Sequence, residues 1–196
     1  MSERVKIESA ETLSSAWARN VMYTIDYQRR DGRRERLRRE VHDHGSGAAV
    51  LPYDAARGTV LLVRQFRLPV HLAGWDGDIL EACAGLLDGN DPLTCARREA
   101  EEELGFRLSN LKQVAQTFSS PGAVTEQITL FLAHYDLTQR VSAGGGHAAE
   151  GEDIEVVEMP FEAALELALT GKIVDAKTVT LLLFLERELR PPTPRR

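Results

Sequence analysis

The sequence has few cysteines, no excess of positive charge and no long hydrophobic run. Its two cysteines, Cys83 and Cys95, are too few for a disulfide-rich scaffold or a four-cysteine zinc site. The 24 lysines and arginines against 30 aspartates and glutamates give a net charge of −6, which argues against nucleic-acid binding through the phosphate backbone. No apolar run approaches the roughly 18 residues that a membrane helix needs, and the first residues lack the apolar core of a secretory signal. We therefore expect a cytoplasmic protein that binds neither membrane nor nucleic acid.

The hydrophobic pattern predicts a mixture of strands and helices. Strand-like segments lie at 21–27, 36–44, 47–67 (two strands), 79–87, 111–118, 127–137 and 154–161. Helices are predicted at 92–104 and 162–170 and from Asp175 to near Glu188, and 71–78 is interpreted as a loop.

This arrangement of elements predicts an α/β (α+β) fold in three regions. We expect a small N-terminal β-strand subdomain at 1–45, a larger domain of mixed sheet and helices at 46–190, and a tail at 191–196. Strands placed around two or more helices favour a sheet covered by helices.

The helix after Pro92 carries an unusual set of acidic residues. Asp91 suits its N-cap, and Pro92 suits its first position. Glu99, Glu102 and Glu103 share one face at helical spacing, opposite the apolar stripe, so we expect them to face the surface. Their mutual repulsion is relieved if a hard divalent cation such as Mg²⁺ binds between them. A solvated helix face is the alternative.

The segment from Ala84 to Phe106 resembles the Nudix box. Its second half matches that motif in order through Arg98, Glu99, Ala100, Glu102, Glu103, Gly105 and Phe106. The first half departs from it, because the spacing from Gly85 to Arg98 is one residue shorter than usual. The same shortened box occurs in the GDP-mannose pyrophosphatase branch of the Nudix hydrolases. Other segments along nearly the whole chain, such as VRQFR at 63–67, are also similar to that branch.

The resemblance implies a fold, an activity and an assembly. The fold would be the Nudix fold, an α/β/α sandwich with a mixed β-sheet. The activity would be Mg²⁺-dependent hydrolysis of the diphosphate of a nucleotide sugar, GDP-mannose giving GMP and mannose 1-phosphate, with Mn²⁺ able to substitute. The assembly would be a homodimer with exchanged N-terminal strands.

The residues and the resemblance together give a candidate metal site. Glu99 and Glu103, one helical turn apart, are the strongest ligand candidates, and Glu103 is also expected to take part in catalysis. The resemblance adds the carbonyl of Ala84. Glu102 shares the same face and is expected to bind metal directly or through water.

A third carboxylate is expected from the glycine-rich acidic loop at 143–153. Glu152 resembles the family's loop glutamate, which helps to bind metal and to activate water. Glu150 and Asp153 are alternatives for that role. The loop could close over substrate, or it could be a solvated acidic loop without a role.

The resemblance also implies a set of substrate-binding residues. They are Trp17, Arg38, Arg39, Glu40, Arg67, Ala84, Gly85, Leu86, Glu126, Gly151 and Lys177. Arginine suits the recognition of phosphate, and some of these contacts would come from the partner subunit. A charged edge strand is the alternative for Arg38 and Arg39, and simple packing is the alternative for Trp17.

Two other functions compete with GDP-mannose hydrolysis. An ADP-ribose pyrophosphatase would use the same machinery with a different base pocket, and such pockets discriminate by only about 1–3 kcal/mol per changed contact. A non-catalytic, nucleotide-sensing Nudix-like module is expected to lack a box glutamate, whereas this chain keeps all three. The sequence therefore favours an enzyme and indicates its reaction class better than its substrate.

Overall fold

A computed structural model describes residues 3–190, with the side chain of Glu150 left out, so the predicted tail at 191–196 lies outside the described residues. The chain divides into two compact units. The first unit holds the chain up to Ser46 together with Phe118–Gln127. The second holds Gly47–Thr117 and the chain from Ile128 onward.

The first unit is built on a three-stranded antiparallel sheet in the order β1-β2-β3. Its strands are β1 (Val5–Ser15), β2 (Arg19–Gln28) and β3 (Arg34–Asp43). In the turn between β2 and β3, Gly32 takes a positive φ of 88°, which favours glycine. The first strand was not predicted. Every residue of β1 is exposed, so its sequence lacks the inward apolar positions that mark a half-buried strand.

The second unit contains a seven-stranded mixed sheet. Five strands follow one another in the order β10-β5-β4-β9-β8, while β6 pairs with β5 and β7 with β4. The strands are β4 (Gly47–Asp54), β5 (Thr59–Phe66), β6 (Asp78–Glu81), β7 (Cys83–Leu86), β8 (Lys112–Phe118), β9 (Gln127–His134) and β10 (Glu155–Pro160).

The prediction of one strand at 79–87 is wrong, because the chain changes its pairing partner at Ala82. Before this residue it pairs with β5, and after it with β4. The amide of Ala82 instead donates to the hydroxyl of Thr178 at 2.6 Å. The apolar run is continuous across the break, so periodicity alone does not reveal it.

Helices cover both faces of this sheet and bury the core on each side. They are α2 (Pro92–Glu99), α3 (Phe161–Leu169) and α4 (Ala176–Leu189), whereas the short helix α1 (Leu68–Leu72) buries none of its residues. Alternate residues of one strand serve both cores, since Val50 packs on the side of α2 and Leu51 on the side of α3 and α4. The predicted α/β/α sandwich is confirmed.

Helix α1 ends inside the segment that was predicted to be a loop. The predicted loop at 71–78 is partly wrong, because its first residues complete α1, which has Pro69 in its first turn and buries none of its residues. Within residues 3–190, no helix combines the length and the apolar character needed to cross a membrane.

Candidate active site

The acidic helix begins as predicted but ends differently. Asp91 caps α2 by accepting hydrogen bonds from the amides of Leu93 and Thr94, both at 3.0 Å. The predicted α-helical end is wrong, because Ala100–Leu104 forms a π-helical turn that closes at Gly105. The two helix types differ by less than one residue per turn, so five residues of pattern do not distinguish them. Such turns are frequent at functional sites.

The box carboxylates do not all face solvent as predicted. Glu99 is 8% exposed and Glu103 only 2%, whereas Glu102 is half-buried. The reason is the close approach of β7 to the helix, where a side chain at Gly85 would overlap the carboxylate of Glu99. The sequence-based expectation of surface-facing glutamates is therefore wrong for Glu99 and Glu103, and any side chain at position 85 would displace the carboxylate of Glu99 from its present place.

Arg98 holds Glu99 in place. Its Nη2 donates to Oε1 of Glu99 at 2.6 Å and to the carbonyl of Leu86 at 3.2 Å. Burial raises the pKa of Glu99, and the charges of Glu102 and Glu152 raise it further, whereas Arg98 opposes the rise. This box arginine therefore links the acidic helix to the end of β7.

Glu103 lies deeper and makes no direct ion pair among the residues that the structure describes, although the charge of Arg67 acts on it. Its Oε2 accepts a hydrogen bond from the amide of Ala84 at 3.2 Å. Burial is the main cause that raises its pKa to about 7, and the charges of Glu99 and Glu152 add to it against hydrogen bonds from Cys83 and Ala84. A buried carboxylate that faces other carboxylates is a strong candidate for cation binding.

The glycine-rich loop binds the end of the acidic helix. The amides of Gly145 and Gly146 donate to the carbonyls of Glu103 and Glu102 at 2.8 and 3.1 Å. These bonds satisfy carbonyls that a helix end otherwise leaves without a partner. Gly145 and Gly146 are therefore held against the helix end in this structure, whereas the sequence suggested a loop that could close over substrate.

Glu152 is positioned by the residues that follow those glycines. Its Oε2 accepts the amide of His147 at 2.8 Å, and a side chain at Gly146 would overlap this carboxylate. Gly151, with φ of 78°, ends the short 3₁₀ turn before it. Among the alternatives, Asp153 is exposed, and the side chain of Glu150 lies outside the described residues.

A buried charge network centred on Glu81 was not predicted from the sequence. Arg67 donates through Nε and Nη2 to the two oxygens of Glu81 at 2.8 and 3.0 Å, and Lys177 Nζ approaches Oε2 at 2.7 Å. Burial alone would raise the pKa of Glu81, but the two cations outweigh it and lower the pKa. The sequence did contain a signal for this network, because Glu81 is the one charged residue in the apolar segment 79–87 and a buried charge requires a partner.

The donor chemistry of this region fits a hard divalent cation. Glu99, Glu103 and Glu152 offer carboxylate oxygens, and the strand at Ala84 offers a carbonyl, which are the ligand types of Mg²⁺ and Mn²⁺. No three acidic, histidine or cysteine side chains within residues 3–190 already converge as a complete metal site. The raised pKa values of Glu99 and Glu103 are nevertheless those that a bound cation would lower.

Three of the predicted substrate residues lie together on β3 in the first unit. Arg38, Arg39 and Glu40 are all exposed. Arg38 is 4.0 Å from Glu11, and the guanidinium of Arg39 donates to the carbonyl of Arg38 at 2.8 Å. Exposed pairs of this kind add little stability, so both guanidinium groups are available to a ligand.

Trp17 and Glu126 also belong to the first unit and share a neighbour. Trp17, between β1 and β2, is 75% exposed. One face of its indole stacks on the imidazole of His44, with ring centroids 5.1 Å apart. Oε2 of Glu126 lies 3.9 Å from Nε2 of the same histidine.

Comparison with known proteins identifies the family. Residues 43–182 match the NUDIX domain, and residues 4–42 match the GDP-mannose pyrophosphatase NudK N-terminal domain. Proteins named GDP-mannose pyrophosphatase from Escherichia coli O1:K1 and from Shigella boydii serotype 4 are each 43% identical over 187 residues, which cover 95% of this chain and 97% of the relative. A relative of the same name from Shigella dysenteriae serotype 1 has the same identity and coverage. The chain therefore belongs to the Nudix hydrolases and carries the N-terminal domain of the GDP-mannose pyrophosphatases.

Proposed function

We propose that this protein hydrolyses the diphosphate of GDP-mannose to GMP and mannose 1-phosphate. The observation that carries the proposal is Glu103, a buried carboxylate that faces Glu99 and Glu152 and has no ion-pair partner in the described part of the chain. The match of both domains to those of GDP-mannose pyrophosphatases supports this choice of substrate.

Glu99, Glu103, Glu152 and the carbonyl of Ala84 are the residues that we expect to hold Mg²⁺, or Mn²⁺ in its place. Glu102 is a further ligand, directly or through water. When bound, such ions neutralise charge that develops on the diphosphate and lower the pKa of a coordinated water. Metal binding also offsets the repulsion that raises the pKa of Glu99 and Glu103.

The residues divide the remaining work between proton transfer and phosphate binding. Glu152 accepts a proton from the attacking water, whose oxygen forms a bond to one phosphorus while the bond from that phosphorus to the bridging oxygen breaks. Glu150 and Asp153 are the alternatives for this role. Arg67 and Lys177 bind phosphate oxygens, since Arg67 has N–H donors beyond those that Glu81 uses and Lys177 has one beyond those that Glu81 and Asp175 use.

Substrate recognition is completed by three backbone positions and by the first unit. We assign Gly85, Leu86 and Gly151 to backbone contacts with substrate. Arg38, Arg39 and Glu40 would contact substrate across subunits, while Trp17 would stack on the base, with Glu126 nearby. The exposure of Trp17, Arg38, Arg39 and Glu40 supports these assignments. The side chain of Glu126 is only 16% exposed.

A homodimer with exchanged N-terminal strands is part of the proposal. Every residue of β1 is exposed, including the apolar Val5, Ile7 and Leu13, which a partner subunit would cover. Light scattering is expected to give twice the chain mass of 21.8 kDa. A monomer at micromolar concentration would contradict the sharing of Arg38 and Arg39.

We also propose a cytoplasmic location. Both cysteines, Cys83 and Cys95, are free and buried, as suits a reducing compartment. Fractionation of cells that produce the protein tests this location, and recovery outside the cytoplasmic fraction would contradict it.

A substrate panel with Mg²⁺ tests the reaction most directly. GDP-mannose, GDP-glucose, ADP-ribose and a diadenosine polyphosphate are compared by kcat/KM, and the products are identified. The highest kcat/KM is expected for GDP-mannose, with GMP and mannose 1-phosphate released. A preference for ADP-ribose would move the substrate assignment, whereas binding without turnover of any compound would indicate a nucleotide sensor.

A further inference from the structure

The indole of Trp17 has two different faces. His44, just after β3, covers one face at a centroid distance of 5.1 Å, with the ring planes inclined by only 18°. The side chain of His44 is 15% exposed, whereas Trp17 as a whole is 75% exposed. The second face of the indole is therefore open, and the histidine behind it belongs to the better-packed part of the unit.

His44 is held by contacts that trace back to the sheet. The ring of His42 meets it edge-on at 5.5 Å, and Nδ1 of His42 is bonded to Oδ1 of Asn20 at 2.8 Å. The backbone of His42 is fixed as well, because its amide donates to the carbonyl of Ala123 at 2.8 Å. These contacts, which link His44 through His42 to Asn20 and Ala123, fix the position of the imidazole of His44 against Trp17.

The ring nitrogens of His44 are little used. Its Nδ1 is buried and has no hydrogen-bond partner among the residues that the structure describes, and Nε2 is 3.9 Å from Glu126, beyond hydrogen-bond distance. A buried polar atom without a partner is a cost to stability. The contact with Trp17 is made through the flat face of the imidazole, so a phenyl ring should preserve it.

We infer that His44 is a positioning residue for the nucleobase of the substrate, acting through Trp17. It fixes the indole from behind, so that the open face is presented as a rigid stacking surface and the base completes a three-ring stack. This inference rests on the proposed function, in which Trp17 stacks on guanine. A preorganised aromatic surface binds better because less side-chain entropy is lost on binding.

The first experiment measures the stack itself and needs no turnover. In a Trp75→Phe parent, Trp17 is the remaining tryptophan of the two in the chain. Time-resolved fluorescence anisotropy is expected to show faster local motion of the indole in His44→Ala, and parental motion in His44→Phe. His134→Ala is the matched control, because His134 contacts Tyr53 in the second unit at a centroid distance of 4.2 Å and should leave the signal of Trp17 unchanged.

The second experiment measures the consequence for the ligand. GDP-mannose is titrated without divalent metal while the quenching of Trp17 is followed. His44→Ala is expected to raise the Kd about 2- to 10-fold, the range of an aromatic pair, and His44→Phe to restore it. With Mg²⁺, the same factor should appear in KM while kcat stays within about twofold.

The outcomes separate this inference from the proposed function. Parental binding in His44→Ala would overturn the inference, as would a change of motion with no change of Kd. An equal loss in His44→Phe and His44→Ala would also overturn it. A parent that neither binds nor hydrolyses GDP-mannose would instead overturn the proposed function, and the inference with it.

Discussion

Glu81 and Glu103 are equally buried, each 2% exposed, but their surroundings are opposite. Glu81 has two cationic partners, Arg67 and Lys177, and its pKa is lowered. Glu103 faces other carboxylates, and its pKa is raised to about 7. Burial penalises both charges, so the partners decide the sign of the shift.

The difference shows which buried charge the chain neutralises itself. The network of Glu81 is complete within the described residues, because Asp175 also binds Lys177 at 2.9 Å. Glu103 makes no such direct ion pair in the part of the chain that the structure describes, and Arg67, whose charge also acts on Glu103, is paired with Glu81. We therefore interpret Glu81 as the support of two substrate-binding cations and Glu103 as part of a site for an external cation.

The largest expected effect is the loss of turnover in Glu103→Gln. The amide keeps the size of the side chain but removes the charge that binds metal, so kcat should fall about a thousandfold. Steady-state kinetics with Mg²⁺ measures this. Glu101→Gln on the same helix is the control, since Glu101 is only half-buried and is paired with Arg107, and the turnover of this variant should be unchanged. Wild-type turnover in Glu103→Gln would remove the metal assignment.

Stability should respond in the opposite sense at the two sites. In metal-free protein at pH 8, Glu81→Gln should lower the free energy of unfolding by about 3 kcal/mol, because Arg67 and Lys177 lose a buried counter-charge. Since the pKa of Glu81 is lowered, its stabilisation is present above the ordinary value of 4.5 and is lost as the pH falls. Denaturant unfolding at pH 8 and pH 4 measures the difference.

In metal-free protein at pH 8, Glu103→Gln should not lower the free energy of unfolding. The pKa of Glu103 is raised from 4.5 to about 7, so its ionised form destabilises the metal-free protein as the pH rises through that range. The difference between these values corresponds to roughly 3 kcal/mol. If Glu81→Gln and Glu103→Gln lost the same stability at pH 8, the contrast between the two sites would be false.

A smaller effect is expected from Glu152→Gln. This carboxylate is half-buried and lies at the edge of the cluster, so we expect kcat to fall about 10- to 100-fold, with KM changed less than threefold. Kinetics over a range of GDP-mannose concentrations separates the two parameters. An unchanged kcat would shift the role to Glu150 or Asp153.

Much of the fold follows from local signals in the sequence. Asp91 and Pro92 start α2, and Asp175 caps α4 by accepting the amide of Thr178 at 2.9 Å. Strand β1 was missed because none of its positions is buried. The change of strand partner at Ala82 was missed because it depends on tertiary pairing, which an apolar run does not encode.

The sequence predicted which residues form the candidate site better than it predicted how they are buried and paired. The spacing of Glu99 and Glu103 indicated a metal site, but β7 approaches them from another part of the chain, with Gly85 against Glu99 and Ala84 against Glu103. Arg67 and Lys177 were expected to contact substrate, yet the carboxylate that holds them, Glu81, is 96 positions from Lys177. Contacts at such separation leave no periodic signal in one sequence.

The most direct test of the account counts the protons that Mg²⁺ displaces. Metal binding requires ionised carboxylates and therefore releases protons from groups whose pKa lies near the working pH. Titration calorimetry in buffers of different ionisation enthalpy should give nearly one proton at pH 6, about half at pH 7 and almost none at pH 8. Glu103→Gln should lose most of this release. Mg²⁺ binding without proton release, or with equal release from the variant, would contradict the claim that Glu103 is held for a cation.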